Sequence, residues 1–162
     1  MAKAIGMIEF GSIARGIYAA DQMVKTSDVE IVTANSVCPG KYIAIVHGDV
    51  SSVETAVRRG EETAEEFLID SIVIPNVHPR VFPAIVGTTM PEEIQALGIL
   101  ESYSLATMVI ATDAVLKSAE LDAIEIRLGT GLGGKAYFTF TGDVAAVKTG
   151  VNVGMEIIGD AG

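Results

Sequence analysis

Ala4-Ile5-Gly6-Met7-Ile8-Glu9 returns later in the chain as Ala96-Leu97-Gly98-Ile99-Leu100-Glu101, an offset of 92 residues. The register persists beyond these two segments. Ser12 aligns with Ser104, Ala14 with Ala106, Asp21 with Asp113 and Lys25 with Lys117. The offset then becomes 94, so the second copy has gained two residues. Gly40-Lys41 now aligns with Gly134-Lys135, Gly48-Asp49-Val50 with Gly142-Asp143-Val144, and Gly60 with Gly154. A register held this far with one small insertion means duplication. The two copies join near Val86 to Pro91, which predicts a first domain over 1–87 and a second over 88–162.

Each copy carries one coarse pattern. Ala4 to Phe10 is apolar and strand-like. Ser12 is placed to cap a helix whose Ile13, Ile17, Ala20 and Val24 share one face. Val29 to Thr33 is a β-branched strand, and Ser36-Val37-Cys38-Pro39-Gly40 is a turn because proline and glycine punctuate it. Tyr42 to His47 completes a hairpin, and Asp49 caps a second helix bearing Val53, Ala56 and Val57. The Glu61, Glu62, Glu65 and Glu66 tail reads as a solvated face, and Ser71 to Ile74 as a fourth strand. The second copy predicts strand 96–101, helix 104–118, strand 121–128, loop 129–134, strand 135–141 and helix 143–157. Nothing in it matches Ile69 to Ile74. Two β-α-β-β-α-β units predict an α+β fold of tandem ferredoxin-like domains, mostly antiparallel sheets with helices packed on them.

Composition narrows the function. The chain has 162 residues, 49% hydrophobic and 20% charged, which excludes wholesale disorder. Eleven basic against 21 acidic residues give −10, so neither nucleic acid nor an anionic membrane surface is an expected partner. No apolar run approaches the roughly 18 residues a membrane span needs. Glu9 interrupts any apolar leader after Met1-Ala2. A single cysteine excludes an internal disulfide and fits a reducing, cytoplasmic setting.

Few motifs carry chemistry. Gly129-Thr130-Gly131-Leu132-Gly133-Gly134-Lys135-Ala136 imitates a phosphate loop, but Ala136 replaces the hydroxyl residue that would hold Mg²⁺, and a strand rather than a helix is predicted to follow. His47 and His78 lack metal-ligand partners at suitable spacing and read as structural. Glu9 and Glu101 recur on the first strands; a structural pairing with backbone or a neighbouring chain is favoured over a catalytic pair. Met7, Met23, Met90, Met108 and Met155 read as core or interface fillers. No converging acid, base and nucleophile is found, so an enzyme is not expected.

The order of Ala-Ile-Gly-Met-Ile-Glu (4–9), Ala20-Asp21-Gln22-Met23-Val24-Lys25, Pro39-Gly40-Lys41, Gly48-Asp49-Val50 and Asp70-Ser71-Ile72-Val73-Ile74-Pro75 resembles bacterial microcompartment shell proteins of the tandem-domain class. Within that class it resembles the iron–sulfur shell proteins of propanediol-utilisation compartments. The resemblance implies a homotrimer of two-domain chains, a pseudohexameric tile in a cytoplasmic microcompartment shell, meeting neighbouring shell proteins at its edges. It implies that Ser36, Val37, Pro39 and Gly40 of the first turn, and Thr130, Gly131, Leu132 and Gly133 of the second, line a central pore, and that Lys25 and Lys117 lie at tile edges. The family's companion arginine falls at Asn76 here. The resemblance further implies one iron–sulfur cluster of the 4Fe-4S type per trimer, held by Cys38 from each subunit. Such a cluster would transfer electrons across the shell to redox enzymes of the lumen or cytosol. The alternatives are a tile whose pore passes a metabolite with Cys38 unligated, and a trimeric ferredoxin-like sensor or enzyme.

Overall fold

The computed structural model describes residues 3–161; Met1-Ala2, read above as no leader, and Gly162 lie outside them. The chain forms two compact units, Met1–Val77 and His78–Gly162. The boundary therefore falls ten residues before the expected 87/88. The reason is a short helix that the sequence reading left in the linker, Val81–Val86, whose Val81 and Ala84 are buried and which packs within the second unit.

The first unit runs β1 (Ala4–Phe10), α1 (Ile13–Thr26), β2 (Glu30–Val37), β3 (Lys41–Gly48), α2 (Val50–Ala64), a 3-10 turn (Glu65–Phe67) and β4 (Leu68–Ile74). Its sheet has the order β2-β3-β1-β4, antiparallel throughout, as expected for the fold class. β1 is the central strand, with Met7 opposite Ile45 on one side and Ile72 on the other. All seven of its residues are buried. Ala4, Ile8 and Phe10 join Met23 of α1 and Val53, Ala56 and Val57 of α2 in one core cluster.

The helix starts follow the sequence closely. Ser12 Oγ accepts from Arg15 N, and Asp49 Oδ1 accepts from Ser52 N. The face that α1 buries differs from the expected one. Gly16, Ala19, Ala20 and Met23 are buried, whereas Ile13 and Ile17 are 40% and 54% exposed. Small residues decided it. A Cβ on Gly16 would stand 2.7 Å from Tyr42 Cβ, so α1 reaches the sheet only through its glycine-alanine face.

After the short helix α3 (Val81–Val86), the second unit repeats the plan as β5 (Ala96–Ser102), α4 (Leu105–Ser118), β6 (Asp122–Leu128), β7 (Ala136–Gly142) and α5 (Val144–Ala161). Ser104 caps α4 through Thr107 N, as Ser12 caps α1. Phe138 and Phe140 stack at 4.9 Å inside the core. Its sheet has three strands, β5-β7-β6, so the partner that β4 provides to β1 has no counterpart among the described residues. β5 alternates between buried and exposed where β1 is buried throughout.

Two predictions follow from these contacts. Gly16→Ala gains about 1 kcal/mol of helix propensity but forces the new methyl against the base of a strand side chain, which costs typically 1–3 kcal/mol. The expected net is a destabilisation of about 1 kcal/mol, between about 0 and 2, read as a lower denaturant midpoint. Asp49 is held down to about 2 by hydrogen bonds from Ser52 and then Ser51. With the folded value below the unfolded one, its contribution is complete above about pH 4 and disappears as the pH falls towards 2. Asp49→Asn should flatten that part of the acid-stability profile.

Candidate functional site

The hairpin β2–β3 holds the first candidate. Strand pairing continues to Val37 opposite Lys41, so Ser36 and Val37 belong to β2 and the turn itself is Cys38-Pro39-Gly40. Proline and glycine punctuation alone assigns Ser36 and Val37 to the turn; the strand pairing carries them into β2. A three-residue hairpin loop needs a left-handed residue before the strand resumes, and Gly40 supplies it at φ 68°. The Cys38–Pro39 peptide bond is cis. Val37 is buried, the Cys38 thiol is free and partly exposed, and Pro39 and Gly40 are exposed. A Cβ on Gly40 would meet nothing within 4 Å, so the space beside this residue is open.

The foot of this turn is anchored by charge. Lys41 donates through Nζ to Oε1 of Glu9, whose residue is only 3% exposed. The Lys41 side chain is 21% exposed. Glu9 was expected to pair with backbone or a neighbouring chain; its partner is the lysine of the same unit, two strands meeting through β1 and β3. The signal was legible, since Glu9 and Lys41 recur together as Glu101 and Lys135. In the second unit the same pair is loose, at 3.8 Å, with side chains 64% and 39% exposed.

The second candidate is the loop from β6 to β7. Gly129, Gly131, Gly133 and Gly134 all have left-handed φ between 62° and 90°. Gly129 N donates to Lys135 O, and Lys135 N to Leu132 O, closing the loop on itself. Thr130, Gly131 and Gly133 are exposed and Leu132 is half-buried. β7 follows directly at Ala136, so the loop does not open a helix and offers no phosphate cradle of the kind its glycines imitate. By the repeat's offset of 94, Leu132 aligns with Cys38 in sequence.

Below this loop lies a cluster that the sequence reading missed. Tyr137 Oη donates to Glu125 Oε2 at 2.7 Å and Arg127 to Glu125 Oε1 at 2.8 Å. The Tyr137 hydroxyl, then Arg127, hold the Glu125 carboxyl below its ordinary range, and the same bond raises Tyr137. Nothing in the one-dimensional pattern pairs residues 12 apart across a glycine loop.

Lys25 and Lys117 end α1 and α4 and pair with Asp21 and Asp113 at 2.7 and 2.6 Å. They are not equivalent. Asp21 has an open side chain at 44%, whereas Asp113 is 7% exposed and also accepts from His78 N at 2.7 Å. His78 itself titrates below its ordinary value because it is desolvated, with Arg80 adding to the effect. His47 lies on β3, its Nε2 at 3.5 Å from Glu30. Among the described residues no three histidine, cysteine or acidic side chains gather as a metal site, so any cluster at Cys38 would need thiols from several chains.

The anchoring pairs make a paired prediction. Lys41→Met leaves a buried carboxylate uncompensated and should lower stability by about 3 kcal/mol or more. Lys135→Met, at an exposed pair, should cost less than about 1 kcal/mol. Denaturant titrations of the two variants check the difference.

A model of the BMC domain matches residues 4–77 and again 96–162. The chain is 38% identical over its whole length to a bacterial microcompartment shell protein, PduT, of Citrobacter freundii, covering 88% of that protein. A microcompartment protein of Desulfitobacterium hafniense superposes with a TM-score of 0.94 at 43% identity, over 99% of this chain and 89% of that one. A fused permuted hexameric shell protein shares the fold at a TM-score of 0.68 and 16% identity, over 98% and 84%.

Proposed function

Because the chain belongs to the BMC domain family of microcompartment shell proteins, we propose that it is a trimeric shell tile, a pseudohexamer of six BMC domains, with an iron–sulfur cluster held by Cys38 of each subunit. The observation that carries the cluster reading is the free, partly exposed thiol in a turn with open space beside its Gly40. Thiolate is the ligand such clusters take, usually four per cluster, so three chains leave one iron position for another ligand. When bound, the cluster supplies one-electron chemistry across the shell. The chain's own residues do the rest. Gly40 sets the left-handed corner that aims the turn, and the Glu9–Lys41 pair fixes its foot.

Self-assembly has independent support. Ile13, Ile17 and Tyr18 of α1 are 40–54% exposed, an apolar helix face that a monomer would leave in water. Capping of this face by a second chain explains why α1 spends its large side chains outside its own core. Six such domains would form a tile rather than a catalyst, with neighbouring shell proteins at edges that carry Lys25 and Lys117, and the turn and loop residues described above at the pore. The second reading, a metabolite pore without a cluster, differs only at Cys38.

Protein prepared without oxygen is expected to be brown, with iron and sulfide near one cluster per three chains and a native mass of three chains. Cys38→Ser should lose the colour and the iron while keeping that mass, because the turn tip buries little. Colourless protein after cluster reconstitution would assign the pore reading instead. A mass other than three chains would overturn the assembly.

A further inference from the structure

We propose that His78 is a proton-sensitive catch on α3: the neutral imidazole holds the turn from which the helix starts, and protonation releases it. α3 begins after Arg80, whose side chain caps none of its N–H groups. A helix this short is not sustained by its own hydrogen bonds, and only Val81 and Ala84 of it are buried. Pro79 has no N–H, so the donors that follow His78 are Arg80 N and Val81 N. Both go to His78. Val81 N donates to its carbonyl at 3.0 Å, and Arg80 N donates to its Nδ1 at 3.3 Å. The imidazole thus takes the place that an asparagine oxygen takes in an Asx turn. His78 is itself pinned, since its N–H donates to Asp113 Oδ1 of α4 at 2.7 Å.

An Nδ1 that accepts carries no proton, so the ring is the Nε2–H tautomer. A second proton makes both ring nitrogens donors, and Nδ1–H then faces Arg80 N–H. The surroundings add to this conflict. Desolvation opposes charge on the ring first, then the Arg80 guanidinium in the turn, and Lys117 of α4 acts in the same direction. Asp113 of α4 favours the charge, but its Oδ1 is taken by His78 N and its Oδ2 by Lys117 Nζ at 2.6 Å. β6 brings Asp122, which pairs with Arg80 at 2.9 Å, and α3 brings no ionisable side chain. With the folded value below the unfolded one, the catch is complete above about pH 6.5 and is lost as the pH falls through the folded value. The side chain of Arg80, held by Leu121 O and Asp122, tethers the segment while its backbone lets go.

The test is made on the full chain in its native assembly, by nitrogen NMR of the imidazoles and by amide exchange. The chain has two histidines, so His78→Asn identifies the ring signals of His47 by leaving them alone. In the unmutated chain His78 should be the Nε2–H tautomer at about pH 7.5 and titrate below about 6.5. Exchange at Val81 and Gly87, corrected for the intrinsic rate, should report at least about threefold more opening at about pH 5 than at about pH 7.5, with β7 unchanged. His78→Asn supplies an oxygen acceptor that does not titrate, so it should keep α3 equally protected at both values. His78→Ala has no acceptor and should open α3 at both. An Nδ1–H tautomer, titration at or above about 6.5, acid opening shared with β7, or the same acid opening in His78→Asn would overturn the proposal. So would a His78→Ala chain whose α3 stays as protected as before.

Discussion

A strand between two others has no edge to give away, and the fold of the first unit rests on β1 being held in this manner. β3 and β4 take both sides of its backbone, and the two helices cover one face through Ala4, Ile8 and Phe10. Under that enclosure a carboxylate survives only if it is paired, and Glu9 is paired with the lysine that opens β3. The turn of Cys38 hangs directly from that strand. Its position is thus set by a central strand, a buried ion pair and one left-handed glycine, not by the turn residues themselves. The second unit shows the converse. With one neighbour fewer, β5 exposes alternate residues, and the equivalent ion pair relaxes to 3.8 Å in solvent.

Much of this was legible in the order of residues. The repeat at offsets of 92 and 94 gave the unit, because strands and helices of a duplicated domain must preserve the same apolar spacing. The capping residues Ser12, Asp49 and Ser104 gave the helix starts, since a side-chain oxygen there meets an unpaired N–H. The failure of the glycine loop as a phosphate site was readable from the strand pattern after Ala136. The second copy has no stretch matched to β4 in the sequence read, and among the described residues its sheet has three strands.

Other features were hidden for physical reasons. Hydrophobic spacing groups Ile13, Ile17, Ala20 and Val24 on one face, but close approach to Tyr42 selects the Gly16-Ala19-Ala20 face, which keeps Ala20 and leaves the two isoleucines out, because periodicity cannot weigh side-chain size against distance. The allegiance of Val81 to Val86 depends on packing within the second unit, which a linker-like composition does not announce. The Glu125–Tyr137–Arg127 cluster depends on strand register across a loop. Lys25 and Lys117 looked alike in sequence, yet a backbone donor from His78 makes Asp113 a buried acceptor and leaves Asp21 open. Duplicated units thus diverge where a neighbouring segment adds one contact.

The two turns also differ in how freely their sequences can drift. Four left-handed glycines shape the loop before β7, while a single one shapes the turn before β3. Any side chain placed at those four corners meets the steric penalty of that backbone region, so inherited change in the second loop is confined mainly to Thr130 and Leu132. The first turn carries one such restriction, at Gly40, and leaves the residue at 38 open to replacement. Evolution can therefore exchange the chemistry presented by the first repeat without rebuilding its backbone, while the second repeat remains a nearly fixed frame around it.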